Sequence, residues 1–222
     1  MAIQSPVSDR LTVTALLLLT FATGVVDAVS VLVLGHVFVA NMTGNVIFLG
    51  FWLVPHSGVD LAAAVVAFVS FVAGTVVGGR FARHLQSSPR TWLTVTHSVE
   101  VVILLTLSIL AGVGVLDYQD NRKLILISGL AITFGIQNAT ARQFGIQELS
   151  TTVLTQTIVG IGLDSRLAGG TGEREKLRYG VVATMMGGAM VGASLTLVAV
   201  APVIALAALV IAASALIFRF GS

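Results

Sequence analysis

The sequence predicts an all-α integral membrane protein with six transmembrane crossings, arranged as two inverted three-helix repeats that each carry a broken or re-entrant segment. Three observations predict it: too little charge to face water, long apolar runs of which two are interrupted by polar residues, and motifs that recur in the same order in both halves. Charged residues make up 10% of the 222 and apolar residues 56%, with a mean hydropathy of +0.99. A soluble domain carries about 25% charged residues. A water-facing surface is therefore excluded for most of the chain. The net charge is +2 and the pI about 9.5, but the basic residues lie in short loops and form no single face. They read as topology signals, not as a nucleic-acid surface. The chain has no Cys, which excludes disulfides, thiolate metal sites and a cysteine nucleophile.

Eight apolar segments follow one another: Leu11–Leu34, Val37–Val54, Val59–Phe81, Thr91–Leu116, Leu124–Ala141, Glu148–Leu163, Tyr179–Val200 and Val203–Phe218. Each is close to the roughly 20 residues a membrane helix needs. The first is too long for the h-region of a signal peptide, so it reads as a retained helix. Turn-like breaks separate them at Gly35-His36, Pro55 to Gly58, Ser87 to Pro89, Asp117 to Asn121, Gly145, Ala168 to Gly170 and Ala201-Pro202.

Eight full crossings would put Arg80, Arg83 and Arg90 on the opposite side from Arg166, Arg174, Lys176 and Arg178, whereas Lys and Arg collect on the cytoplasmic side. If the second and sixth segments dip in and return, all of these lie inside with Arg10 and Arg219. Only Arg122 and Lys123 then lie outside, beside Asp117 and Asp120. Those two segments are also the ones with polar interiors, Asn41-Met42-Thr43-Gly44-Asn45 and Ser150 through Thr157. Irregular backbone at membrane depth persists only where protein or a wet cavity satisfies it. Continuous helices with Ser and Thr bonded back to their own backbone are the alternative.

The halves, 1–116 and 117–222, match in order. Gly24…Asp27-Ala28 corresponds to Gly135…Asn138-Ala139, Thr43-Gly44-Asn45 to Thr155-Gln156-Thr157, and Gly74…Gly78 to Gly188…Gly192, at offsets of 111, 112 and 114 residues. With three crossings per half, the second half enters from the opposite side, a plan common in transporters. The GxxxG pairs read as helix packing, within the bundle or between two copies.

Gly24, Asp27-Ala28 and the run Gly35-His36-Val37-Phe38-Val39-Ala40-Asn41-Met42-Thr43-Gly44-Asn45, followed by Gly135-Ile136-Gln137-Asn138-Ala139, resemble the YoaK family of bacterial membrane proteins, whose function is unknown. The resemblance covers most of the chain, and Phe38 to Asn45 is its most specific part. Thr155-Gln156 departs from the Thr-Gly pair the family often carries late in the second half. What the resemblance implies is a multi-pass protein of the bacterial inner membrane; it implies no substrate.

Asp27 lies about 25 Å along the first helix at 1.5 Å per residue. A carboxylate there is costly unless paired, protonated or wet. It reads either as a proton-coupling or donor-recognition group, or as the acceptor for irregular backbone near Asn41–Asn45. Thr43, Gly44 and Asn45 suit the capped start of a half-helix. If Thr155 and Thr157 start another from the other side, the two N-termini would meet and favour an anion or polar neutral solute. The candidate substrate residues are therefore Asp27, Asn41, Thr43, Gly44, Asn45, Gln137, Asn138, Thr155 and Thr157. Arg142 reads as a positive-inside anchor rather than an anion ligand.

His97 and Glu100 share a face and read as interfacial, without a third ligand for a metal. Glu148 would cap or guard the sixth segment, and Trp52 and Trp92 would anchor at the interface. No GxSxG, HExxH or Cys is present, and the four His fall at or near segment ends, so no catalytic residues, metal or cofactor are expected. The expected function is small-solute transport or conduction through a polar midplane site. The alternative is a non-transporting scaffold or sensor that dimerises through small-residue faces. Expected partners are membrane lipids, a small-molecule or ion substrate and, in the alternative, a second copy, with no nucleic acid. The expected location is the bacterial inner membrane, with both termini cytoplasmic.

Overall fold

The computed structural model describes residues 5–54, 58–85, 87–144 and 154–221. Within them the chain forms eight α-helices: α1 (Asp9–Leu32), α2 (Met42–Gly50), α3 (Leu61–Leu85), α4 (Pro89–Gly112), α5 (Lys123–Arg142), α6 (Leu154–Leu163), α7 (Glu175–Thr196) and α8 (Val200–Phe220). Among the described residues there is no strand. Six helices are long and apolar enough to cross a membrane: α1, α3, α4, α5, α7 and α8. At nine and ten residues, α2 and α6 extend only about 15 Å and cannot span.

Local sequence sets the helix ends. Pro89 opens α4 at its first turn, where its missing N–H costs nothing. After α1 the chain turns through Gly35 (φ 129°) and His36 (φ 58°), a reversal that needs a glycine for the first of these angles. Asp60 Oδ1 accepts the Ala63 N–H at 3.0 Å and so caps α3.

Bundle ends are tied by polar contacts. The Arg90 guanidinium donates to the carbonyls of Pro6, Arg219 and Gly221, which joins the starts of α1 and α4 to the end of α8. Phe144, just past α5, stacks on Trp92 and Phe218 at this same end. At the opposite end Lys123 Nζ meets Asp60 Oδ2 at 2.7 Å, and the Ser108 hydroxyl donates to the Ala201 carbonyl.

Burial pushes the Asp60 carboxyl up, but hydrogen bonds from Lys123 and the Ala63 N–H, with the Lys123 charge, outweigh it and hold the group below the ordinary carboxylate range. A depressed folded value means stability that is complete above the unfolded pKa of about 3.9 and lost as pH falls through the folded one. Both side chains are partly exposed. We therefore expect Asp60→Asn to cost under about 1 kcal/mol at neutral pH. Thermal melts in detergent should also show a shallower acid limb for the variant.

Interior packing runs through paired glycines. The main helix pairs are α3 with α5, α1 with α7, α4 with α8 and α1 with α8. A Cβ at Gly24 would strike the backbone of Met185 and Ala189, one at Gly188 that of Phe21, and one at Gly192 that of Val25. In the other pair, Gly135 lies on the backbone of Phe71 and Thr75, Gly74 on Ile132 and Gly78 on Ile136. The GxxxG faces are thus used inside the chain, where they let backbones touch.

Candidate functional site

A buried polar cluster lies where the chain between α1 and α2 folds back against α1. Asp27 is 7% exposed. Its Oδ1 accepts the N–H groups of Val39 and Ala40, each at 2.9 Å, and its Oδ2 accepts from Asn41 Nδ2. Asn45 clamps the residue before: its Oδ1 accepts the Phe38 N–H at 2.9 Å and its Nδ2 donates to the Phe38 carbonyl at 2.6 Å. Residues 38–40 are neither helix nor strand, so these side chains supply the partners that secondary structure would otherwise provide. Of the two readings of Asp27, the geometry is that of the backbone acceptor. Gly44 lets the Phe38 ring lie against the first turn of α2.

Asn41 precedes α2, which begins at Met42 and not at the expected Thr43 to Asn45; its amide is committed to Asp27, and no side chain caps the helix. That corrects the capping role given to Thr43 and Asn45. Thr43 and Thr155 both lie on the exposed surface, while Asn45 and Thr157 are buried. The two short helices pack separately, α2 on α3 and α6 on α7, so they do not meet along a shared face. Arg178 secures α6: its guanidinium reaches Asp164 at 2.6 Å and the Gly160 carbonyl at 2.8 Å.

In the second half, Gln137 Nε2 donates to Thr23 Oγ1 at 3.2 Å and lies 3.4 Å from the Leu19 carbonyl, bridging α5 to α1. Asn138 Nδ2 donates to the Phe134 carbonyl. Glu148, Ser150, Thr151 and Thr152, with the Pro55–Ser57 turn and Gly145, lie outside the described residues.

Two expectations at α4 are corrected. Because the helix starts at Pro89, His97 and Glu100 are its ninth and twelfth residues, near mid-helix and fully buried rather than interfacial. Trp92 is likewise fully buried, stacked on Phe144; neighbouring helices cover the place where a membrane interface would have met it. Trp52 is 68% exposed, as an anchor requires. The sequence did carry a signal for the α4 site, an ionisable pair within an apolar run; what it did not carry is which face of α4 the neighbouring helices cover. No group of three metal-ligating side chains occurs among the described residues.

Six apolar helices of spanning length around buried polar clusters define a multi-pass membrane protein. A family described as "Protein of unknown function (DUF1275)" matches residues 15–217, and the chain belongs to it. The chain is also similar to the "UPF0700 transmembrane protein YoaK" of Bacillus subtilis (strain 168), 32% identical over 152 residues, which is 67% of this chain and 64% of that relative. The chain thus spans less than two thirds of that relative's length. No solved structure matches it.

Proposed function

We infer that the chain is a small-solute transporter or channel of the bacterial inner membrane, built from two inverted repeats. One observation carries this reading: the halves exchange packing partners. Replacing α1–α4 by α5–α8, and the reverse, turns α1·α7 into α5·α3, α1·α8 into α5·α4, α2·α3 into α6·α7 and α3·α4 into α7·α8, and every one of these is a packed pair. The exchange holds at residue level. Gly24 against Met185 becomes Gly135 against Phe71, and Gly188 against Phe21 becomes Gly74 against Ile132. Three spanning helices per half make the two orientations opposite.

The end holding Arg10, Arg80, Arg83, Arg90, Arg142, Arg166, Arg174, Lys176, Arg178 and Arg219 is then cytoplasmic, and so are both termini, with Arg122 and Lys123 outside. In this reading α2 re-enters from outside and α6 from inside. The two polar breaks are matched halves of the solute path, Asp27, Asn41 and Asn45 in one, Gln137, Asn138 and Thr157 in the other. A homodimer would need another face, since the small-residue faces are occupied.

The absence of Cys makes single-cysteine labelling clean. Thr171→Cys should react from the cytoplasmic side and Gln119→Cys only from outside; labelling of both from the same side would end the inverted arrangement. For the solute, a panel of carboxylates, sugars, amino acids and nucleobases is screened by thermal shift. A solute at a hundred times its Kd stabilises by about 2.7 kcal/mol. Any hit should cross proteoliposome membranes, and Asp27→Asn should change that flux. Binding with no flux would favour the sensor reading instead.

A further inference from the structure

We propose that His97 and Glu100 form a one-proton site inside the membrane, which exchanges its proton with the Arg90–Arg219 end of the bundle through the groove between α4 and α8. The site stands independently of solute transport.

Burial and missing partners identify it. Both side chains are fully buried, about 12 and 17 Å from the start of α4 at 1.5 Å per residue, within a hydrocarbon layer about 30 Å thick. Neither His97 nitrogen and neither Glu100 carboxyl oxygen has a hydrogen-bond partner. Their closest approach is Nδ1 to Oε2 at 3.8 Å, beyond hydrogen-bond length. Buried polar groups are normally satisfied; among the described residues the other buried side-chain atoms left open are single ones, Trp92 Nε1 and Gln137 Oε1. Asp27 has three donors. Ser214, which lies in α8 at the 114-residue offset from Glu100, donates to the Ala15 carbonyl. Among the described residues, the α4 pair alone brings an acid and a base together and leaves both open.

Charge balance then determines the proton count. A carboxylate beside a neutral imidazole leaves a net negative charge in hydrocarbon, and an acid beside an imidazolium leaves a net positive one. Each is costly at this depth. One shared proton makes the pair neutral. At 3.8 Å it resides as the carboxylic acid of Glu100 beside neutral His97.

The route is a groove of about 340 Å³ whose wall includes Thr94, His97, Ser98, Val101, Ala212 and Arg219. Thr94, Ser98 and Arg219 are its polar lining beside His97, and the rest of the wall is apolar. Phe218 packs against the imidazole edge-on, with centroids 5.9 Å apart, and so holds the ring in line. A side-chain rotation closes the 3.8 Å gap. The same movement must open Nε2, buried in the closed arrangement, to the groove; Glu100 O–H then gives its proton to His97 Nδ1, while the proton on Nε2 leaves to water there. The imidazole ends neutral in its other tautomer, the carboxylate is left bare, and one proton has been released. Loading is the reverse.

Other titratable groups on the helices packed against α4 are Arg219 on α8, Lys123 and Arg142 on α5, and Arg80, Arg83 and His84 on α3. All lie near helix ends, and of them Arg219 alone lines the groove. Its charge resists formation of an imidazolium and so favours proton release over storage of a second proton.

The test is infrared spectroscopy of the full chain in detergent at neutral pH. A carboxylic-acid C=O band is expected, present with Asp27→Asn, absent with Glu100→Gln, and shifted when the wild-type chain carries isotopically labelled glutamate. The labelling needs no variant to fold. Acidification gives a second readout. Trp92 lies five residues before His97 and joins it through Phe144 and Phe218. In a Trp52→Phe background its fluorescence should step down as His97 takes a second proton, and His97→Gln should abolish the step. A wild-type spectrum without a glutamate acid band would overturn the proposal, as would a fluorescence step that survives His97→Gln.

Discussion

Gly74→Leu should destabilise the folded bundle severely. The Gly74 Cα faces the backbone of Ile132 on α5 so closely that even a Cβ would overlap it. Neighbouring contacts repeat the problem, with Gly135 on Phe71 and Gly78 on Ile136. A side chain that strikes another side chain can be relieved by a rotamer change, but one that strikes backbone must push the helices apart. Overpacking costs about 1–3 kcal/mol where a core can adjust. Here it cannot, so we expect at least about 3 kcal/mol against a total stability of about 5–15. Helices in lipid associate largely by close packing, which adds to the loss. Gly180 in α7 has nothing within 4 Å of its would-be Cβ, so Gly180→Ala should instead stabilise by about 0.5–1 kcal/mol. Size-exclusion profiles and melts in detergent report both. A monodisperse Gly74→Leu protein with unchanged melting would refute the close-packed α3–α5 contact.

The second large effect is expected at Asp27. Removing its carboxylate in Asp27→Ala leaves the N–H groups of Val39 and Ala40 and the amide of Asn41 without their acceptor. Each buried unsatisfied donor costs about 1–3 kcal/mol, and none can reach water while residues 38–40 stay in place. We expect a loss of about 3–6 kcal/mol, with the segment before α2 released first in hydrogen exchange. Asp27→Asn keeps an acceptor for Val39 and Ala40 and loses only the contact with Asn41, whose amide can turn its oxygen inward. It should cost about 1–2 kcal/mol. Equal melting of Asp27→Ala and the parent would show that the carboxylate does not hold the break.

Much of this architecture is legible in the residues because lipid allows few choices. Apolar length and the scarcity of charge predict the six spanning helices, and each lies within a few residues of its expected position. Asn41 to Asn45 marks a break because polar backbone at that depth needs an excuse, and Asp27, Asn41 and Asn45 do come together there. The glycine pairs announce close contacts, although the sequence does not say whether the partner is the same chain or another copy.

What the sequence by itself determined is the class of protein, its spanning segments, the polar break after α1 and the glycines that must touch something. Only the tertiary structure decided what they touch and which way each polar side chain turns. Thr43 faces outward although its neighbour Asn45 is buried, Asn41 serves Asp27 instead of capping α2, and Trp92 stacks inside. His97 and Glu100 become a buried pair because the helices packed on α4, α8 among them, cover their face. The physical reason is that crossing a membrane is a transfer free energy summed along the chain, whereas a side chain's partner depends on helix rotation and on atoms far away in sequence.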